Sequence, residues 1–188
     1  MISRDGLELR SDSIMLRPYC EDDVNRLYEA ARESTAEVSV WLPWCHSEYS
    51  IEESRTWVES RSEAWDDGLS YDFVIVDITS GLFLGGCGLN RIERENGNAN
   101  LGYWVRTGRT RQGAATTATR LLARFGFKEL ALNRIEIIAA VGNMASQRVA
   151  EKAGALREGV LRNRIVVHDE IHDAVVFSLV PEDIITGE

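Results

Sequence analysis

The 188 residues are 44% apolar and 27% charged, with a formal net charge of −9 and a sequence pI of about 4.9. Length and composition fit one folded domain over residues 1–188 with a sizeable core. The acidic balance disfavours nucleic acid, which is held by Lys and Arg against phosphate, and suits cationic partners such as amines or basic protein termini.

No apolar run approaches the roughly 20 residues of a membrane span, and Met1–Asp12 has no apolar signal segment. Cys20, Cys45 and Cys87 are odd in number, widely spaced and without a CxxC pair. That pattern argues against a disulfide framework or a zinc site, and it fits a reducing cytoplasm.

In chain order, the loose apolar alternation of Leu7–Leu16 predicts a first strand that ends at Arg17-Pro18. Glu21, Asp22 and Asp23 then suit a helix N-terminus, and Val24, Leu27, Tyr28 and Ala31 carry the helical period. A second helix starts at Ser50, whose spacing to Glu53 is that of a capping box. Between these helices lies Trp41-Leu42-Pro43-Trp44, where proline forbids helix and two indoles form an amphipathic knob.

Three strands follow as a meander, Tyr71–Ile78, Phe83–Ile92 and Asn98–Val105, with turns at Thr79–Gly81 and Glu95–Gly97. The period then changes. Ala118, Leu121, Leu122 and Phe125 mark a long helix over about Ala114–Leu130, and Arg134–Val141 reads as a buried central strand. A short helix from Met144 to Ala153 is closed by Gly154. Two last strands, Leu161–Val167 and Ile171–Val180, meet at His168-Asp169-Glu170. The resulting fold class is α/β (α+β), a mixed sheet, antiparallel early, with a β-α-β crossover through the long helix.

The segment from Tyr103, Trp104 and Val105 through Arg109, Arg111, Gln112, Gly113, Ala114, Ala115 and Thr116 carries the chemistry. A helix start offers unpaired N–H groups and positive dipole, glycine permits close backbone approach, and arginine supplies charge. These features describe an anion site, and equally a tight turn with solvated arginines. Neither GxGxxG nor GxxxxGK[ST] occurs, which excludes the dinucleotide and triphosphate fingerprints.

The stretch LGYWVRTGRTRQGAATTATRLLARFGF resembles the acetyl-CoA signature of the GNAT superfamily, Q/R-x-x-G-x-G/A. Gly113 and Ala115 match its end, while Thr110 stands where Gln or Arg is usual. Downstream, NMASQRVAEKAGA is similar to the second block, matched at Asn143, Ser146, Lys152 and Gly154. The resemblance implies a mostly antiparallel sheet with a central splayed parallel strand pair flanked by helices. It implies acetyl-CoA as cofactor, without a metal, with the pantetheine arm along Tyr103–Val105 and the pyrophosphate on residues 111–116. Asn143 and Ser146 would close the other side, Ser146 serving the sulfur. A helix N-cap and a first-turn hydroxyl are the bland alternatives for these two residues.

Trp41-Leu42-Pro43-Trp44, the opening IMLRPYCEDDVNRLYEA and EGVLRN resemble the ribosomal-protein alanine/serine N-acetyltransferase group. That resemblance implies that Trp41 and Trp44 help line the acceptor pocket and that the acceptor is a protein N-terminal amine. A polyamine or aminoglycoside-like acceptor, and a non-catalytic acyl-CoA sensor, stay open as alternatives. So does a homodimer. For the general base the sequence offers Glu136, His46, Glu48, His168, His172 and Asp173, or a water relay.

Overall fold

The computed structural model describes residues 2–185. Its centre is an eight-stranded sheet in the order β1-β2-β3-β4-β5-β6-β8-β7. The strands are β1 (Leu9–Arg10), β2 (Ile14–Pro18), β3 (Tyr71–Asp77), β4 (Phe83–Glu93), β5 (Asn98–Val105), β6 (Arg134–Ala140), β7 (Leu156–Val167) and β8 (Glu170–Leu179). The helices are α1 (Asp23–Val38), α2 (Ile51–Asp66), α3 (Ala114–Glu129), α4 (Met144–Ala153) and α5 (Pro181–Ile185). Every neighbouring pair is antiparallel except β5–β6.

Successive residues of a strand face opposite sides, so β3 feeds two cores at once. On one side Phe73 and Ile75 join Leu89, Leu101, Leu122, Phe125, Ile135 and Phe177 beneath α3. On the other, Val74 and Val76 meet Phe83 and the apolar faces of α1 (Val24, Leu27) and α2 (Val58). Each of the largest of these side chains contributes about 1.5–3 kcal/mol by leaving water. Sheet and flanking helices thus form three layers.

Two expected strands differ from the structure. Leu7–Leu16 is not one strand: Ser11 Oγ accepts from Ser13 N (3.3 Å) and Ile14 N (3.1 Å), which turns the chain between β1 and β2. β7 starts at Leu156 rather than Leu161, and its register slips between Arg157 and Gly159 and between Leu161 and Ile165. Such bulges break the alternation that sequence reading relies on. The capping box at Ser50 forms as expected, with Glu53 N on Ser50 Oγ and Ser50 N on the Glu53 carboxylate.

The acids expected to complement the dipole at the start of α1 do something more specific. Asp23 is wholly buried and holds both guanidinium arms of Arg17 at 2.6 Å, as well as Cys20 N at 3.0 Å. This group pins β2 to α1.

Candidate active site

β5 and β6 pair only from Asn98↔Arg134 to Asn100↔Glu136. Beyond that point they separate, and the β5 edge from Leu101 to Val105 has no strand beside it on that side. β4 still covers its other edge as far as Val105. The result is a wedge with main-chain groups along one wall that no neighbouring strand pairs.

Tyr103 bridges the wedge. Its hydroxyl lies 2.9 Å from the Ser146 carbonyl oxygen and 3.0 Å from Ser146 Oγ, at the first turn of α4. A phenol has one proton. Given to the carbonyl, it leaves the Tyr103 oxygen to accept from Ser146 Oγ–H. Burial pushes the Tyr103 hydroxyl up to about 12, with the Ser146 hydrogen bond acting the other way, so it remains a neutral donor across the physiological range. Asn143 caps α4, its Oδ1 accepting from Ser146 N at 3.1 Å. Gln147 Nε2 donates to the carbonyls of Val141 (2.8 Å) and Ala140 (3.2 Å), locking α4 to the end of β6.

At the outer end of the wedge, Gly113 is the N-cap of α3 in the left-handed region (φ 87°), with no side-chain cap. A Cβ there would project into open space. The first-turn N–H groups of Ala114, Ala115 and Thr116 therefore have no capping side chain, the arrangement that suits an anion. Arg109, Arg111 and Gln112 stand exposed around it. Thr110 is exposed, and its Oγ1 is engaged locally, donating to Thr107 O at 3.1 Å. The loop is tied down by α1: Ser34 Oγ accepts from Thr107 N and Glu33 from Gly108 N, both at 3.0 Å, while Glu33 pairs with Arg106. The hydrogen bond from Arg106 holds the Glu33 carboxyl below its usual range.

The next residue of β5 faces the other way. Trp104 meets Trp44 edge-on with ring centroids 5.2 Å apart, and Trp44 in turn meets Tyr49 at 5.6 Å. They line a cavity of about 360 Å³ between α1, α2 and the β4–β5 face. Tyr19, Trp57, Glu53 and Asp72 complete its walls, and Gly86, Gly88 and Gly102 form its floor.

Trp41 is not among the lining residues of this cavity. It stands across the wedge, where its Cη2 would be 2.9 Å from a Cβ at Gly142, and its ring is 6.1 Å from His172. The WLPW loop thus straddles the open end, one indole toward β5 and the other beyond β6.

The base candidates are dispersed. Glu136 is paired with Arg134 at 3.0 Å, and His46 with Glu53 at 2.9 Å. His168 Nε2 contacts Ser39 O at 2.6 Å. Asp173 Oδ1 accepts from Asn163 N at 2.8 Å, where Asn163 sits at φ 51° in the β7 bulge. Among the described residues, no three His, Cys, Asp or Glu side chains stand together as a metal site.

Sequence reasoning passed over Asp72, Tyr49, Trp57 and the glycine floor. The signal was the run Gly85-Gly86-Cys87-Gly88 inside a strand, a composition that marks close approach to a sheet face.

A sheet that parts around one parallel pair, with a bare helix start at the outer end of the gap, is the arrangement that the resemblance to acetyl-CoA-dependent transferases implies. The family model of the acetyltransferase (GNAT) domain matches residues 13–156, and the chain belongs to that family. It is a GNAT-type N-acetyltransferase. It is 31% identical over 183 residues to "Putative ribosomal N-acetyltransferase YdaF" of Bacillus subtilis, covering 92% of this chain and 94% of that one. It is 26% identical to the ribosomal-protein-serine acetyltransferase of Escherichia coli, covering 89% and 93%. The structure of a ribosomal L7/L12 alpha-N-protein acetyltransferase in complex with coenzyme A superposes with a TM-score of 0.85 at 23% identity, covering 93% and 98%.

Proposed function

We propose that the chain, acting as one domain over residues 1–188, transfers the acetyl group of acetyl-CoA to the N-terminal amine of a protein, of the ribosomal-protein type. The observation that carries the reading is the alternation at the end of β5. Tyr103 points to α4 and the wedge, and Trp104 to the aromatic cavity, so one strand separates a cofactor side from an acceptor side.

The residues fit acetyl-CoA. The unpaired edge Tyr103–Val105 offers main-chain groups to the pantetheine amides. Gly113, Ala114, Ala115 and Thr116, with Arg109, Arg111 and Gln112 around them, offer N–H groups and charge to the pyrophosphate. With the Thr110 hydroxyl engaged on Thr107 O, the grip there rests on backbone and arginine. Asn143 and Ser146 form the opposite wall. When bound, acetyl-CoA supplies an activated acyl carbon and a sulfur leaving group.

Ser146 Oγ–H rests on the Tyr103 oxygen, from which it would turn to serve the sulfur, and the Asn143 cap holds the serine's main chain in place. Trp44, Tyr49 and Trp104, packed edge to face, present an apolar surface to the incoming chain. The relatives' names support a ribosomal N-terminus as acceptor. The cavity's modest volume favours a second reading, a small polyamine or aminoglycoside-like amine.

Incubation with acetyl-CoA and peptides beginning with Ala or Ser tests the reading, through thiol release and the mass of the peptide. Acetyl on the N-terminal nitrogen is expected. Thiol release with small amines alone would give the second reading, and none with any amine would contradict both.

A further inference from the structure

The acceptor cavity contains a carboxylate aimed at its floor. Asp72 sits on β3 opposite Gly88 of β4, which is opposite Gly102 of β5, so the three lie in one row across the sheet. Paired residues share a face, and two glycines therefore clear a trough from Asp72 to β5. The Asp72 side chain is 11% exposed. Its Oδ2 is fixed by Arg61 Nη1 at 2.8 Å and Ser70 Oγ at 2.6 Å. Oδ1 lies over Gly88, where a Cβ would overlap it.

The surroundings of Oδ1 suit a cation. Tyr19, Trp44, Tyr49, Trp57 and Trp104 surround the space, Glu53 stands beside them, and no Lys or Arg is among the lining residues. The Arg61 guanidinium is stacked on Trp57, its Cζ 3.7 Å from the ring centre, and it reaches Asp72 Oδ2 without being among the lining residues of the cavity. Aromatic faces and a carboxylate together bind ammonium and guanidinium groups.

Strand spacing is about 4.8 Å, so a group on Oδ1 above β4 lies roughly one to two spacings from the open edge of β5. That is too far for the nitrogen that is acetylated at the wedge.

We infer that Asp72 and the aromatic cavity select an acceptor carrying a second cationic group, a few bonds from the amine that is acetylated. In a peptide this is a Lys or Arg side chain close to the N-terminus; in a free amine it is the far nitrogen of a diamine. The inference deepens the proposed function and rests on acetyl transfer to an amine. Asp72 is a specificity residue here, not the base.

The test compares peptides that differ only by Lys or norleucine after an N-terminal Ala, together with a diamine and a monoamine of equal length. Thiol release is measured for the wild-type chain and for Asp72→Asn. The lysine peptide is expected to have a KM about tenfold lower than the norleucine peptide, and Asp72→Asn to shrink that ratio below about twofold. The same preference of diamine over monoamine, without peptide turnover, would keep the cation pocket and overturn the N-terminal reading.

Equal KM values for Lys and norleucine in the wild-type chain, with no preference for the diamine, would overturn the inference without any variant. So would an Asp72→Asn effect on kcat and its pH profile rather than on KM, which would mark a proton-transfer role. Turnover of no amine, despite acetyl-CoA binding by calorimetry, would overturn both readings.

Discussion

The Tyr103 hydroxyl spans the splayed strands to reach Ser146, 43 positions away in sequence, touching both its carbonyl oxygen and its Oγ. This contact joins the end of β5 to the first turn of α4 across the wedge.

Tyr103→Phe removes the bridge and leaves the ring. The expected loss is about 1 kcal/mol of fixing energy, or roughly five- to tenfold in turnover, with a smaller change in acetyl-CoA affinity. Ser146→Ala is expected to lower turnover further, by a hundredfold or so at pH 7. Steady-state kinetics beside calorimetry check both, and wild-type turnover of Ser146→Ala would leave the serine as a first-turn residue only.

Gly113→Asp places a negative side chain at the start of α3, in a backbone conformation that costs a non-glycine residue about 1–2 kcal/mol. Nothing lies within 4 Å of the new Cβ, so the fold has room for it. Acetyl-CoA affinity is expected to fall at least about tenfold by charge repulsion and a blocked approach. Unchanged affinity in calorimetry would remove the phosphates from this turn.

Asp23→Ala leaves the guanidinium of Arg17 half buried without its carboxylate and frees Cys20 N. Breaking a buried pair from one side costs about 3–5 kcal/mol. Denaturant unfolding is expected to show a loss in that range, and a loss below about 1 kcal/mol would make the pair peripheral.

The site was partly legible because some of its parts are local. A helix that starts at glycine, an Asn cap three residues before its target and a tryptophan pair broken by proline each leave a mark within a few residues. Asp72 left no such mark. One acid in a strand looks like ordinary alternation, and only the register Asp72↔Gly88↔Gly102 brings it over a cleared floor. The β7 start was hidden for a related reason, since its bulges interrupt the period.

Below neutral pH, the β6–β7–β8 side is expected to weaken in a defined window. Hydrogen bonds from Arg134 and then Ser178 hold Glu158 at about 2, against an ordinary 4.5. A carboxyl whose folded value is depressed contributes stability above its unfolded value and loses it as pH falls toward the folded one. The contribution is therefore present above about 4.5 and lost between 4.5 and 2. Glu158 is 36% exposed, so solvent screening limits it to about 1 kcal/mol. Glu158→Gln is expected to flatten the dependence of the thermal midpoint on pH in that window, and an unaltered slope would assign it elsewhere.

Mass spectrometry of Ala- and Ser-initiated peptides after incubation with the chain and acetyl-CoA reads the proposed transfer directly. One acetyl group on the N-terminal nitrogen is expected, dependent on the enzyme and abolished by blocking that amine. Unmodified peptides, with acetyl-CoA bound but intact, would contradict it.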